Sequence, residues 1–238
     1  MKQKKTFFAL LTMLLFFGGT AFAAEKPNIL VIMTDDVGVW NVSAYHRGMM
    51  GGSTPNIDRL AAEGVQFTHF HAAAACSPTR GMLMTGVDNH HVGMGNMIEI
   101  MADNQFDQPG YESFMNDRVV TVATLLRDAG YHTYLSGKWH LGKTKDSIPA
   151  ARCFERSFSL MESGADNWEY KTYRPMTEFV HWYDDFELLT DLPDSFFSMD
   201  FYIDQTIEYI DAGRDGNKPY FAYLPLQAQH YPLQAPKE

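Results

Sequence analysis

The sequence predicts an α/β protein with a largely parallel mixed sheet and helices on both faces. The segment from Ile29 to Met33 is apolar at every position, which is typical of a strand covered on both sides. Further strand-like segments alternate with amphipathic helical segments along the chain. After the first 23 residues there is no repeat, low-complexity tract or membrane-spanning segment.

The first 23 residues have the three parts of a secretory signal peptide. Three lysines come first, residues 7–17 are almost wholly apolar, and an Ala-Phe-Ala cleavage site ends at Ala23. The apolar run is too short to be a stable membrane anchor. We therefore expect residues 1–23 to be removed and the remaining chain to be exported, either to a periplasm or into the medium.

The charge of the chain limits what it binds. The net charge is −10, and loss of the three leader lysines makes it −13. A chain this acidic is not expected to bind nucleic acid, or to hold an anionic substrate by its overall field. An anionic substrate would need a metal ion or a local cluster of cations.

The first predicted helix has clear start and stop signals. A Ser-Thr pair precedes Pro55, which is the first helical residue, and Gly64 ends the helix. A second strand, residues 65–71, then delivers the chain to the segment ACSPTRGMLMTG. Residues 78–84 of that segment predict a short helix, which places Cys76 at or near a helix N-terminus.

The rest of the chain continues the alternation. Residues 117–129 predict an amphipathic helix and residues 131–140 the next strand. A helix at 199–212 and a strand at 220–224 follow later. Between them, residues 157–198 are rich in aromatic residues, acids and prolines and show no clear period. We expect a long insertion there, near one end of the sheet.

Chemically useful side chains fall at or just beyond the ends of predicted strands. They are Asp35, Asp36, Cys76, Lys138, His140 and His230. In open α/β sheets, ligands bind at the edge where the carboxyl ends of the strands lie. We therefore expect these separate segments to converge on one site.

The individual patterns differ in strength. Asp35 and Asp36 offer the hard oxygens that Ca²⁺ or Mg²⁺ needs, although a solvated strand end is the commoner explanation of such a pair. Lys138 and His140 are two apart in an extended segment and so point to one side, while the tryptophan between them packs the other way. His230 precedes a proline-containing turn, where a histidine is often only a loop residue.

The segment around Cys76 is the most specific. If the helix starts early enough to include Cys76, then Cys76 and Arg80 share a helix face, with Cβ atoms about 5–6 Å apart. A helix N-terminus with an arginine one turn away suits an anion, and a thiol there is expected to have a lowered pKa. In an exported chain with two cysteines, Cys76 is either used chemically or bonded to Cys153. The pattern C-x-P-x-R, followed by Thr-Gly, favours chemical use.

These motifs resemble those of the type I sulfatases, most closely the bacterial arylsulfatase-like members of the alkaline-phosphatase superfamily. The resemblance runs from about Lys26 to the last residue, and the matching segments are PNILVIMTDD, TPNIDRLAAEGV, CSPTRGMLMTG, GYHTYLSGKWHLG, FERSFSL and HYPLQAP. It implies a sulfatase-like fold and hydrolysis of aryl or glycan sulfate esters. The alternatives are a phosphomonoester or phosphonate monoester hydrolase of the same superfamily and a non-catalytic remnant.

The resemblance also implies how the nucleophile is made. A sulfatase-maturating (formylglycine-generating) enzyme would oxidise Cys76 to formylglycine, an aldehyde whose hydrate attacks sulfur with one hydroxyl and later expels sulfate with the other. Asp35, Asp36 and the modified Cys76 would bind a divalent cation, usually Ca²⁺ in this family.

The remaining roles are likewise implied by the resemblance. Arg80 would steady the hydrate, and Lys138 and His230 would contact the sulfate. His230 would also help to protonate the leaving group. His140 would take the proton of the second hydroxyl, so that the aldehyde re-forms.

The sequence departs from the family pattern in two ways. Cys153 stands where glycine is usual, so we expect a strained turn and a second thiol that competes for Cys76. Family members are roughly twice as long, with a later Asp-Asn pair and a later lysine that complete the cation and sulfate sites. We therefore expect residues 24–238 to be the amino-terminal part of a catalytic domain, incomplete on its C-terminal side and inactive or poorly folded alone.

Overall fold

The computed structural model describes residues 26–173 and 179–237, so the predicted leader, residues 1–23, lies outside the described residues. No helix within those two ranges has the length and apolar character needed to cross a membrane. The strands are β1 Ile29–Met33, β2 His132–Lys138, β3 Arg156–Leu160, β4 Trp182–Asp184, β5 Glu187–Leu188 and β6 Tyr220–Pro225.

The helices lie largely where their start and stop signals predict them. The α-helices are α1 Ser43–His46, α2 Pro55–Glu63, α3 Cys76–Thr85, α4 Asn89–Val92, α5 Val122–Asp128 and α6 Ser198–Ala212, and short 3₁₀ turns lie at Val39–Asn41, Ile98–Ile100, Pro149–Arg152 and Arg214–Gly216. The N-cap of α2 is Thr54, and Gly64 follows its last residue. The predicted start and stop of α2 are therefore confirmed.

The described strands form one mixed sheet in the order β1-β6-β2-β3-β4-β5. The first four in that order are parallel to one another, and β4 and β5 are antiparallel to their neighbours. Val31 of β1 lies opposite Tyr223 of β6, and Tyr134 of β2 lies between Ala222 and Arg156. The predicted largely parallel sheet is confirmed, and the carboxyl ends of four strands share one edge.

Helices cover both faces of the sheet centre. On one face, Phe221 and Tyr223 of β6 share a core with Met84 of α3. On the other, Ala222 of the same strand packs with Tyr209 of α6. Because side chains alternate along a strand, β6 contributes to both cores at once. The predicted arrangement of helices on both faces is confirmed here.

The edge strand β1 differs from the prediction, since only one of its faces is buried. Ile29, Val31 and Met33 pack against the core, but Leu30 and Ile32 are 47% and 53% exposed. Helix α6 packs on β2, β3 and β6, and the outer face of β1 is left open in the described part of the chain. The prediction of a strand covered on both sides is wrong for these residues.

Two other elements differ between the sequence prediction and the structure. Residues 65–71 do not form a strand, because no described strand lies beside them to pair with, and Phe67 is exposed. The helix predicted at 117–129 begins only at Val122. Its true start is set by Thr121, whose hydroxyl accepts a hydrogen bond from the backbone of Thr124 at 3.1 Å.

The predicted insertion at 157–198 is wrong. Most of β3, all of β4 and β5, and the first residue of α6 lie in this stretch. The strand β3 escapes sequence recognition because Ser157 and Ser159, both fully buried, occupy positions where apolar residues signal a strand. The stretch therefore extends the sheet rather than leaving it.

Candidate active site

Cys76 is the first residue of helix α3. The preceding residue, Ala75, is the N-cap in an extended conformation, and Pro78 lies in the first turn, where its missing N–H costs no hydrogen bond. The helix ends at Gly86, whose φ of 70° is the left-handed conformation that glycine adopts readily. The predicted position of Cys76 at a helix N-terminus is confirmed.

Asp35, at the end of β1, is the centre of a buried cluster. Its Oδ1 accepts a hydrogen bond from Cys76 Sγ at 3.4 Å and lies 3.4 Å from an Arg80 nitrogen. Its Oδ2 pairs with Lys138 Nζ. Arg80 also donates to the backbone carbonyl of Lys138 at 2.7 Å. The cluster therefore ties together the end of β1, the start of α3 and the end of β2.

The charges in this cluster do not balance. Arg80 and Lys138 are fully buried, and in the described part of the chain they share one buried carboxylate partner, Asp35. Burial alone would raise the pKa of Asp35, but the two cations outweigh it and the pKa lies below its usual value. Burial and the charge of Arg80 lower the pKa of Lys138. A buried surplus of positive charge suits an anion that can complete the pairing.

The expected low pKa of Cys76 is wrong. Burial raises the pKa of this thiol, and the Asp35 carboxylate beside it acts in the same direction. Lys138 and Arg80 favour the thiolate but do not overcome these effects. The helix N-terminus is thus not the dominant influence on the pKa of this thiol, because burial, together with the adjacent Asp35 carboxylate, outweighs it.

The loop that follows β6 forms backbone hydrogen bonds with Asp35, just beyond the end of β1. The amide of Asp35 donates to the carbonyl of Ala228 at 3.2 Å, and the amide of Gln229 donates to the carbonyl of Asp35 at 2.9 Å. This pairing places His230 near the cluster, with its Nε2 3.9 Å from Asp36 Oδ2. Asp36 itself is half exposed and has a φ of 59°.

The donor atoms near Asp35 fit a Ca²⁺ ion only in part. Single ligand atoms of Asp35, Cys76 and His230 lie within 4.8 Å of one another. A carboxylate, a thiol and an imidazole form a mixed set, whereas Ca²⁺ prefers oxygen ligands throughout. Replacing the sulfur of Cys76 by oxygen, and adding the carboxylate of Asp36, would bring the set closer to the oxygen ligands that Ca²⁺ prefers.

Lys138 and His140 were predicted to face one site while Trp139 packs the other way, and the structure confirms this prediction only in part. Trp139 is buried in the core, and its indole donates to the carbonyl of Ser147 at 2.8 Å. Lys138 reaches Asp35, but His140 has a φ of 57° and its Nε2 lies 3.2 Å and 3.3 Å from the two oxygens of Glu99. Burial lowers the pKa of His140 to about 4, although the Glu99 hydrogen bond acts in the other direction.

Both cysteines are free thiols, so the disulfide alternative is not what the structure contains. Cys153 has a φ of 73°, in the left-handed region that favours glycine. The strain expected at this position is therefore present. Cys153 follows the last residue of a 3₁₀ turn and directly precedes Phe154, which packs in the core.

Comparison with known proteins identifies the family. The sulfatase family profile matches residues 27–238. The chain belongs to the sulfatase family. It is 41% identical over 230 residues to an uncharacterized sulfatase of Schizosaccharomyces pombe, and 36% identical over 240 residues to an arylsulfatase of Klebsiella aerogenes. These alignments cover 90% and 99% of this chain but 40% and 50% of the relatives, so the chain spans half their length or less.

A solved structure gives the same result for the fold. The chain superposes with a TM-score of 0.63 and 28% identity on a protein solved in complex with its substrate, D-glucosamine-2-N,6-O-disulfate. The match covers 87% of this chain and 35% of that chain. The sulfatase-like fold predicted from the motifs is confirmed.

Glu99, which contacts His140 in the structure, is a residue that sequence reasoning missed. It lies in a 3₁₀ turn within the apolar run MIEIM, far from any predicted strand end. The available signal was a single carboxylate inside that apolar run. Glu99 also borders a cavity of about 240 Å³, together with Lys143, Ser163 and Tyr173.

Proposed function

We propose that this sulfatase hydrolyses sulfate monoesters. The observation that carries the proposal is the buried cluster at the carboxyl edge of the sheet, where Arg80 and Lys138 share one carboxylate beside Cys76. In a chain of the sulfatase family, a sulfate group is the anion that such a positive surplus would hold. Charge that develops on sulfate oxygens during ester cleavage would be stabilised by the same cations.

Cys76 is proposed to be a precursor of the nucleophile, converted to formylglycine by a maturation enzyme. Its raised pKa supports this, because a thiol kept protonated is a poor nucleophile. The formylglycine hydrate supplies a hydroxyl that displaces the alcohol from sulfur, and a second hydroxyl whose deprotonation releases sulfate and restores the aldehyde. Arg80, four residues along the same helix, would hold the hydrate in place.

Three side chains would handle the sulfate and the protons. Lys138 and His230 would bind sulfate oxygens, and His230 would give a proton to the departing alcohol. His140 would accept the proton of the second hydroxyl. Its buried, neutral ring supports this role, because with a pKa of about 4 it is uncharged at neutral pH and has a lone pair available.

Asp35, Asp36 and the converted Cys76 would hold one divalent cation, for which we propose Ca²⁺. When bound, the ion would polarise the ester and offset negative charge. Two carboxylates and one modified side chain supply fewer than the six to eight oxygens that Ca²⁺ takes, so the remaining ligands would come from outside the described residues.

The proposed substrate is an aryl or glycan sulfate, with its alcohol portion in the 240 Å³ cavity beside Glu99. Tyr173, on the wall of this cavity, has its ring edge-on to His230, with 5.5 Å between the ring centres. A group in the cavity would therefore lie next to the proposed proton donor. The apparent signal peptide supports export to a periplasm or to the medium.

We expect a full-length version of the protein to hydrolyse nitrophenyl sulfate with a kcat/KM at least about 100-fold higher than for nitrophenyl phosphate, a difference of about 2.7 kcal/mol in transition-state binding. The same leaving group in both esters isolates the preference for the transferred group. A higher value for the phosphate would establish the phosphomonoesterase alternative instead. Turnover of neither ester would support a non-catalytic remnant.

Removal of divalent cations is expected to stop turnover. Dialysis against EDTA should abolish hydrolysis of nitrophenyl sulfate, and added Ca²⁺ should restore it, because Asp35 and Asp36 would then bind the ion again. Mg²⁺ and Zn²⁺ at equal concentrations serve as matched additions. Full activity in EDTA would contradict the cation proposal while leaving the sulfate proposal intact.

A further inference from the structure

We propose that Glu99 is a positioning residue that fixes the tautomer of His140, so that Nδ1 is the ring atom that accepts a proton. This inference rests on the proposed sulfatase chemistry for its kinetic consequence, but not for its structural part. The geometry that carries it is a carboxylate held against one nitrogen of a buried imidazole.

The contact itself determines which nitrogen carries hydrogen. The two oxygens of Glu99 lie 3.2 Å and 3.3 Å from His140 Nε2. A carboxylate only accepts hydrogen bonds, so Nε2 must be the donor and must carry the proton. A neutral ring has a single N–H, and the lone pair therefore belongs to Nδ1.

The other ring nitrogen is free to react. Nδ1 of His140 is buried and has no hydrogen-bond partner among the residues that the structure describes. An unpaired buried acceptor is costly, and a catalytic role is one of the reasons for which proteins retain such a group. Among the described residues, the charged groups with the largest influence on the pKa of this ring come from three elements: Glu99 in the 3₁₀ turn, Lys138 at the end of β2, and Arg80 in α3.

The backbone conformation of His140 also indicates that the position of its ring is imposed by the surroundings. Its φ of 57° is unfavourable for a residue with a side chain, and such strain persists only where the surroundings impose it. Trp139, locked in the core, fixes the position just before it. The Glu99 hydrogen bond then fixes the ring, so both the location and the orientation of Nδ1 are determined.

The structural part is tested by NMR, without any need for turnover. Long-range ¹H–¹⁵N correlations of histidine side chains distinguish the tautomers, and the His140→Gln variant assigns the signal. Between pH 6 and 8 we expect the Nε2–H form in the native protein and in Glu99→Gln, whose amide oxygen still accepts. In Glu99→Ala we expect a mixture of tautomers. An Nδ1–H form in the native protein, or no change in Glu99→Ala, would overturn the proposal.

A matched control is available within the chain. Glu155 Oε2 lies 2.7 Å from His132 Nδ1, at the start of the strand whose far end leads to His140. The variant Glu155→Ala therefore removes a Glu–His contact of the same kind away from the cluster. It should leave the His140 signal unchanged, and a change there would show that any loss of a carboxylate disturbs this ring.

The kinetic part separates positioning from a general structural effect. We expect Glu99→Ala to lower kcat for nitrophenyl sulfate about 10- to 100-fold, the usual range for a residue that orients a catalytic group. KM should fall with kcat and kcat/KM should change little, because slower sulfate release lets the sulfated intermediate accumulate. Nitrophenol should still appear in a burst, because His140 acts in sulfate release, after the alcohol has left. Glu99→Gln should recover most of the rate.

The double variant gives the sharpest result. If Glu99 acts through His140, Glu99→Ala should cause no further loss in a His140→Ala background. Independent, multiplying losses or an unchanged kcat in Glu99→Ala would overturn the kinetic claim. If the native protein hydrolyses no sulfate ester, the proposed function fails, and the NMR result still decides the role of Glu99.

Discussion

Replacing Cys76 with alanine is expected to lower the turnover of nitrophenyl sulfate by about 10⁴-fold or more, with little effect on folding. Loss of a covalent nucleophile typically costs several orders of magnitude in kcat. Cys76 opens helix α3, and alanine is well tolerated in a first helical turn. The measurement is steady-state hydrolysis, with circular dichroism to check the fold.

The chemical state of Cys76 can be measured independently. Trypsin should release residues 60–80 as one peptide, and conversion of its thiol to formylglycine should lower the mass by about 18 Da. Cys153→Gly is the matched control, because it removes the other thiol and places glycine at a φ of 73°. This variant should keep both activity and conversion. An active protein whose Cys76 remains a thiol would refute the formylglycine proposal.

The edge of the sheet that carries the site was predictable from the sequence. Parallel strands bring their carboxyl ends together, and so Asp35 and Lys138 could be placed at one edge from the apolar runs alone. Pro78 predicted a helix start at or near Cys76, and this put Arg80 on the neighbouring turn. These features were predictable because they depend on local signals, namely apolar runs and the proline in the first turn of a helix.

The features that sequence reasoning missed depend on tertiary packing. The pKa of Cys76 follows from burial beside Asp35, and no spacing rule contains that distance. The hydrogen bond from His140 to Glu99 joins residues 41 positions apart through a 3₁₀ turn, which has no periodic pattern. Strand β3 was missed because its buried serines are polar residues, which are typical of loops rather than of buried strands.

The largest expected change in stability comes from replacing Asp35 with alanine. This variant would leave Lys138 and Arg80 buried without their carboxylate. Removing one partner of a buried ion pair typically lowers the free energy of unfolding by about 3–5 kcal/mol. Both cations are fully buried, so water cannot screen the loss. Urea unfolding followed by tryptophan fluorescence should show the shift.

The neighbouring Asp36 provides the control that separates folding from cation binding. Its carboxylate is half exposed and lies 3.9 Å from His230, so Asp36→Ala should change the unfolding free energy by less than about 1 kcal/mol. Both variants should weaken cation binding, but only Asp35→Ala should unfold easily. Adding Lys138→Met to Asp35→Ala should recover much of the stability, because it removes an unpaired buried charge. Equal stability losses in the two aspartate variants would mean that the buried cluster does not hold β1, α3 and β2 together.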